Sequence, residues 1–445
     1  MKHNMVDGAR PRHRANALLG VALVATAGLA GPVVSAAPAH AAAGASRTAG
    51  DASAVTEWNG IAVRTIVTEA QVPPPASQLY FGIVSAAVYD AVVAVEGRYE
   101  PYISQPRPHG RASSEAAAAT AAYEVLSSLF PASAEQLAVD HAASLARISG
   151  DAGRGTARGV RAGERAAAAI VQDREGDGRD ADIGLEPTPG PGVWEPTPPG
   201  SGAMAVPWLG FVRPLMLDAP DQVPLPGPDA LDSTAYAQDF AEVKELGSVD
   251  STARTPAQTE TARFWSDNPI RQYQDGLRGV SDRRELDIVE SARMFALVNT
   301  TGADALVACW RVKHDHAYWR PSTAIQRAEE DGNPATKADP SWTPLIANPA
   351  YPEYPSGHAC LSAAVASGLA HLFGSDSIDF EVGSNVTGTT RDFATAGAFE
   401  QDAMDGRVWL GIHFRRAMLD GNQLGHEVSD WGIAHYFQPV DDHCS

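Results

Sequence analysis

The chain has 445 residues, with 34 Lys and Arg against 54 Asp and Glu, a formal net charge of −20 that argues against a nucleic-acid-binding protein. At 44% hydrophobic and 20% charged residues it is composed like an ordinary globular protein, not a disordered one. Three cysteines, Cys309, Cys360 and Cys444, are too few and too far apart for a disulfide scaffold or a CxxC metal site, and leave room for at most one disulfide.

The first element reads as an address. Lys2, Arg10, Arg12 and Arg14 precede a run from Ala15 to Ala39 without charge, and Ala39-His40-Ala41 fits the small-x-small pattern of signal cleavage. The run is long enough to span a bilayer, but Gly31, Pro32 and many alanines make it weakly hydrophobic, so a secretory signal over residues 1–41 is preferred to an anchor. The spacing Arg12-His13-Arg14 does not support a twin-arginine signal. Removing residues 1–41 takes away four bases and one acid and moves the charge to −23. No later segment reads as apolar and uncharged for long enough to span, which predicts a secreted, extracellular protein without stable membrane insertion after processing.

Helical signals dominate the remainder, read as one large domain over 42–445. In the N-terminal half, about 52–183, helices are expected over 76–97, with Gly97 as a stop, and over 113–130, 133–148 and 157–171. Residues 184–228 carry twelve prolines and read as extended coil. Trp194, Trp208, Phe211 and Met216 within it predict a loop laid over the helical body instead of a free hinge. The C-terminal half, 232–437, is expected to hold helices over 233–246, 255–266, 281–298, 304–330, 358–372, 394–410 and 423–437. Period-2 alternation is hard to find, so a substantial sheet is not expected. The fold class is mainly α: a helical bundle with a long Pro-rich loop.

Three clusters in the C-terminal half carry chemistry. In Trp310-Arg-Val-Lys313-His-Asp-His-Ala-Tyr-Trp-Arg320-Pro321, a continuous helix would put Lys313 and Arg320 on nearly one face, able to clamp an anion of phosphate size. Taken alone this is an ordinary solvated face, but Lys occurs only four times in the chain against thirty Arg, so a lysine here is less readily filler. In Tyr351-Pro-Glu-Tyr-Pro355-Ser356-Gly357-His358, prolines hold the chain extended until Ser356 and Gly357 meet a helix start, where free N–H groups favour an anion; the plainer alternative is a Ser N-cap. In Arg407-Val-Trp-Leu-Gly411-Ile-His413, the two end residues converge only if the helix breaks, and Gly411 is the place for it. Together the clusters supply three cations, a hydroxyl, a backbone N–H and two imidazoles, a set suited to a tetrahedral oxyanion.

On these motifs the chain resembles the vanadium-dependent haloperoxidases and the related acid phosphatases, which share a three-part oxyanion site on a helical fold. The TrpGluProThrProPro stretch at 194–199 and TrpAsnGly at 58–60 extend the likeness, more weakly, over much of the chain. The resemblance implies vanadate as cofactor, with phosphate as a competing oxyanion, and His413 as the vanadium ligand. It implies that Lys313, Arg320, Arg407, Ser356 and the Gly357 N–H bind the oxygens, and that His358 is the acid–base that admits hydrogen peroxide. Halide would then attack a histidine-bound peroxovanadate to give hypohalous acid, with an organic molecule as a further acceptor. Trp310 and Tyr351 are candidates for a halide pocket, with plain packing as their alternative. A homodimer is the family's suggestion. The acid phosphatases extend the last motif to His-x3-Asp. Here that position is Ala417, with Asp420 three further on, which counts against an efficient phosphatase unless another residue supplies the carboxylate. The alternative activity is a secreted acid phosphatase using His413 as nucleophile.

Overall fold

The computed structural model describes residues 51–152, 155–197 and 202–440, so the signal segment 1–41 and Cys444 lie outside the described residues. Helix α1 (Ser53–Ala62) runs on through a π-helical turn to Glu69, followed by α2 (Pro74–Glu96), α3 (Ser114–Leu129), α4 (Ala134–Ala152) and α5 (Thr156–Asp173). After the proline-rich segment come α6 (Thr234–Leu246), α7 (Pro256–Phe264), α8 (Pro269–Arg283), α9 (Ile288–His316) and α10 (Pro321–Gln326). The last group is α11 (Gly357–Phe373), the antiparallel hairpin β1 (Ser377–Ser384) and β2 (Thr389–Thr395), α12 (Ala396–Trp409) and α13 (Arg415–His435).

Helix α9 is the axis of the fold and packs against α2, α11 and α13, while α3 and α5 cover α2. Its start is set by a capping box, in which Asp287 accepts from the Val289 and Glu290 N–H groups and Glu290 reaches back to the Asp287 N–H. The run Asn299-Thr300-Thr301-Gly302, expected as a break, is continuous helix. Thr300 and Thr301 donate their hydroxyls to the carbonyls of Ala296 and Leu297, and Asn299 bonds Gln78, Gln274 and Ser85 across the core. Tertiary partners therefore absorb polar groups that would end an isolated helix.

Helix α2 corrects a second expectation. Among the described residues it is long and apolar enough to cross a membrane by length and composition, yet 89% of its apolar window is buried inside the protein. Pro74 and Pro75 start it, since a first turn needs no N–H donors, and Gly97 at φ 78° ends it.

The proline-rich segment lies against the helices as expected, with Trp194 and Met216 buried. The buried Asp304 of α9 accepts from the N–H groups of Leu215, Met216 and Leu217 at 2.6, 2.7 and 2.8 Å, which fastens the segment to the axis. The hairpin was not anticipated, although Ile378, Phe380 and Val382 alternate and are buried. Helix α8 likewise went unanticipated over most of its length. Cys309 and Cys360 are buried and carry no disulfide.

Candidate active site

The expectation that Lys313 and Arg320 share one helical face is overturned. Helix α9 ends at His316, where Ala317 turns left-handed at φ 43°, and Arg320 is the extended residue that caps α10 before Pro321. Both side chains are nonetheless buried beside the same segment, 351–355. Arg320 Nε donates to the Tyr351 carbonyl at 3.0 Å and its Nη1 to the Ile412 carbonyl at 2.8 Å and to His413 Nε2 at 3.3 Å. Lys313 Nζ donates to the carbonyls of Pro352 at 2.8 Å, Glu353 at 3.0 Å and Pro355. Its three N–H donors are thus matched by three backbone acceptors, so the ammonium fastens this segment instead of standing free to clamp an anion.

The helix break expected at Gly411 is present. Helix α12 ends at Trp409, and Gly411 adopts φ 80° with its α-carbon so close to the Gly247 carbonyl that a β-carbon would collide with it. The turn brings His413 back beside Arg407. Ser356 caps α11 by accepting from the Ala359 N–H at 3.5 Å, and Gly357 opens that helix with His358 in its first turn.

These elements enclose a cavity of about 450 Å³ lined by His358, Arg407, His413, Gly357, Trp310 and Tyr351, with Pro74, Leu306, Ile346 and Pro349 among its apolar walls. Lys313, Arg320 and Ser356 lie behind that lining and are fully buried. Trp310 and Tyr351 touch with ring centroids 4.9 Å apart, and the Lys313 ammonium sits 5.1 Å from the Tyr351 centroid. Arg407 Nη1 donates to the Trp265 carbonyl at 2.8 Å. Trp265 and Tyr273 stand edge-on to the His358 ring at 5.6 and 6.2 Å.

Three buried nitrogens of this group have no hydrogen-bond partner: Arg320 Nη2, Arg407 Nε and His358 Nε2. Burial lowers the Lys313 ammonium to about 8 and the Arg320 guanidinium to about 10. Burial, reinforced by Arg407, holds His358 well below its ordinary value, and burial with Arg320, Lys313 and Arg407 does the same for His413. Both shifts favour the neutral imidazole.

One residue that touches the site escaped the sequence reading. Glu353 is 1% exposed, and its Oε1 accepts from His413 Nδ1 and from the Phe414 N–H, both at 2.9 Å. It stands inside the Pro-Glu-Tyr-Pro string, where an acidic residue among prolines and aromatics was the available signal. The carboxylate missing from position 417 is thus supplied from another loop, which removes the argument against a phosphatase. Asp420 bonds Tyr354 Oη and Arg416 instead.

Comparison with known proteins agrees with this architecture. Residues 293–442, which carry all three clusters, match the model of the VCPO second helical-bundle domain family. The fold is that of the vanadium haloperoxidases. The chain is 32% identical over 143 residues to a vanadium chloroperoxidase of Curvularia inaequalis, a match that spans 26% of this chain and 23% of that relative's length. It is similar to the crystal structure of the first bacterial vanadium-dependent iodoperoxidase, with TM-score 0.74, 21% identity, and 87% of this chain and 97% of that one covered. It is also similar to a holo-type bacterial vanadium-dependent chloroperoxidase, with TM-score 0.67, 18% identity, and coverage of 87% and 98%.

Proposed function

We propose that the protein is an exported vanadate-dependent haloperoxidase that uses hydrogen peroxide to oxidise halide to hypohalous acid, with residues 1–41 as its export signal. The observation that carries this reading is the set of buried, unpartnered nitrogens on Arg320, Arg407 and His358 around His413. Neither arginine forms an ion pair with a carboxylate among the described residues, and the one acidic group close to this cluster, Glu353, is outnumbered by three buried cations, an excess of positive charge that is costly to bury. A tetrahedral oxyanion supplies that counter-charge and the missing acceptors at once, so the residues present fit vanadate.

His413 would hold the central atom, and Arg320, Arg407, Ser356 and the Gly357 N–H would take the oxygens. Lys313 adds charge through space while its protons hold the 352–355 main chain. When bound, vanadate supplies Lewis-acid activation of hydrogen peroxide for oxygen transfer to a halide. His358, whose ring stands edge-on to Trp265 and Tyr273 and whose Nε2 has no partner, would take up and return a proton at that nitrogen.

A second reading, an acid phosphatase with His413 as nucleophile, is favoured by the Glu353–His413 contact, since a nucleophilic imidazole needs its tautomer held. One paired assay separates the two. Metal-stripped protein is given orthovanadate and tested for bromide-dependent halogenation of a dye with peroxide, beside phosphate release from an aryl phosphate. Halogenation that requires vanadate and is suppressed by phosphate supports the haloperoxidase. Phosphate release inhibited by vanadate, with no halogenation, supports the phosphatase. Export is checked by the N-terminal sequence of protein recovered from culture medium, expected to begin near residue 42.

A further inference from the structure

Glu353 is anchored through its backbone and through one carboxyl oxygen, Oε1, while Oε2 is buried without a partner. Its N–H donates to the Tyr318 carbonyl at 2.9 Å, and its own carbonyl and those of Pro352 and Pro355 converge on Lys313 Nζ. The backbone on both sides of the carboxylate is therefore fastened to helix α9. The side chain is 1% exposed and reaches a ring nitrogen and a backbone N–H with one oxygen.

The partners of His413 determine where its proton sits. Oε1 of Glu353 also receives the Phe414 N–H, and although burial pushes this carboxyl up to about 8, an oxygen engaged as an acceptor places the ring nitrogen facing it to donate. On the other side of the ring, Arg320 Nη1 lies 3.3 Å from Nε2, and a guanidinium has only donors, so Nε2 must accept. Both contacts demand the same state, a proton on Nδ1 and a lone pair on Nε2. Ala417 has no group that could impose this, and Asp420 is engaged with Tyr354 and Arg416.

We propose that Glu353 is the positioning residue of the site, holding His413 in its Nδ1–H tautomer so that Nε2 is the nitrogen presented to an oxyanion. This rests on the reading of His413 as the residue that binds the central atom, and it serves ligand and nucleophile alike. Partners of this kind behind a ligating histidine are worth 10- to 100-fold in affinity.

The test uses the full mature chain labelled with 15N-histidine, without vanadate, and assigns the His413 ring signals by their loss in His413→Ala. The wild-type ring is expected to show a neutral imidazole protonated at Nδ1. Glu353→Leu, which keeps volume but removes the acceptor, should shift the signals toward the Nε2–H form, whereas Glu353→Gln, whose amide oxygen still accepts, should retain the wild-type pattern. In equilibrium dialysis Glu353→Leu should bind orthovanadate about 10- to 100-fold more weakly and Glu353→Gln within about threefold of wild type. A wild-type ring protonated at Nε2 overturns the proposal without any variant, and so does a folded Glu353→Leu protein with unchanged tautomer and affinity. Wild type and His413→Ala binding orthovanadate and phosphate equally poorly would instead overturn the oxyanion-site reading while leaving the tautomer result standing.

Discussion

The Trp265 carbonyl accepts a hydrogen bond from Arg407 Nη1 at 2.8 Å, while the Trp265 ring stands edge-on to His358, so one residue between α7 and α8 touches both the cation proposed to bind an oxyanion and the proposed acid–base. The Trp265→Phe variant keeps the backbone carbonyl but shortens the ring against His358 and removes the indole N–H bonded to Asp402. Turnover is expected to fall about 10-fold with vanadate affinity near wild type, because misplacement of a reacting group costs rate before it costs binding. Steady-state kinetics beside vanadate titration checks this; equal losses in both would show that the ring supports Arg407 as well.

The two site histidines should separate cleanly. His358→Ala is expected to keep vanadate and lose about 10²- to 10⁴-fold in turnover, the range of a general acid–base. His413→Ala should lose the bound metal. Vanadium content after gel filtration decides the matter, and equal content in wild type and His413→Ala would remove His413 as ligand.

Lys313 is as much a structural cation as an electrostatic one. In Lys313→Met three buried carbonyls lose their donor, which at about 1–3 kcal/mol for each unsatisfied group predicts a loss of about 3 kcal/mol or more in chemical denaturation. Orthovanadate affinity should fall in the same variant. A Lys313→Met protein of wild-type stability would show that the lysine does not fasten the 352–355 segment.

Asp90, 1% exposed, carries a pH signature remote from the site. Burial raises its carboxyl from 3.8 to about 7, against the opposing N–H bonds from Ile103 and Tyr102. The folded state therefore binds this proton more tightly than the unfolded chain. The stability so gained is fully present below about pH 4 and is lost as pH rises through about 7. Relative to Asp90→Asn, wild type should gain stability as pH falls from 8 to 4, by up to about 4 kcal/mol. Urea melts of both proteins across that range provide the measurement, and parallel curves would mean that Asp90 titrates alike in both states.

Local sequence was enough to determine the mainly helical class, the proline-rich segment over the body, the start of α11 at Ser356-Gly357 and the turn at Gly411. Each rests on short-range chemistry: a missing proline N–H, a hydroxyl cap, a residue free to take positive φ. Tertiary structure alone decided that Asn299 to Gly302 stays helical, because the partners of Asn299 come from α2 and α8. It also decided that α9 stops at His316 and that Lys313 spends its protons on backbone carbonyls, since those acceptors lie about forty residues further along the chain. Glu353 belongs to the same class. Its partner His413 lies 60 residues away, and no spacing rule within either motif relates a carboxylate on one loop to an imidazole on another until helices α9, α11 and α13 have packed.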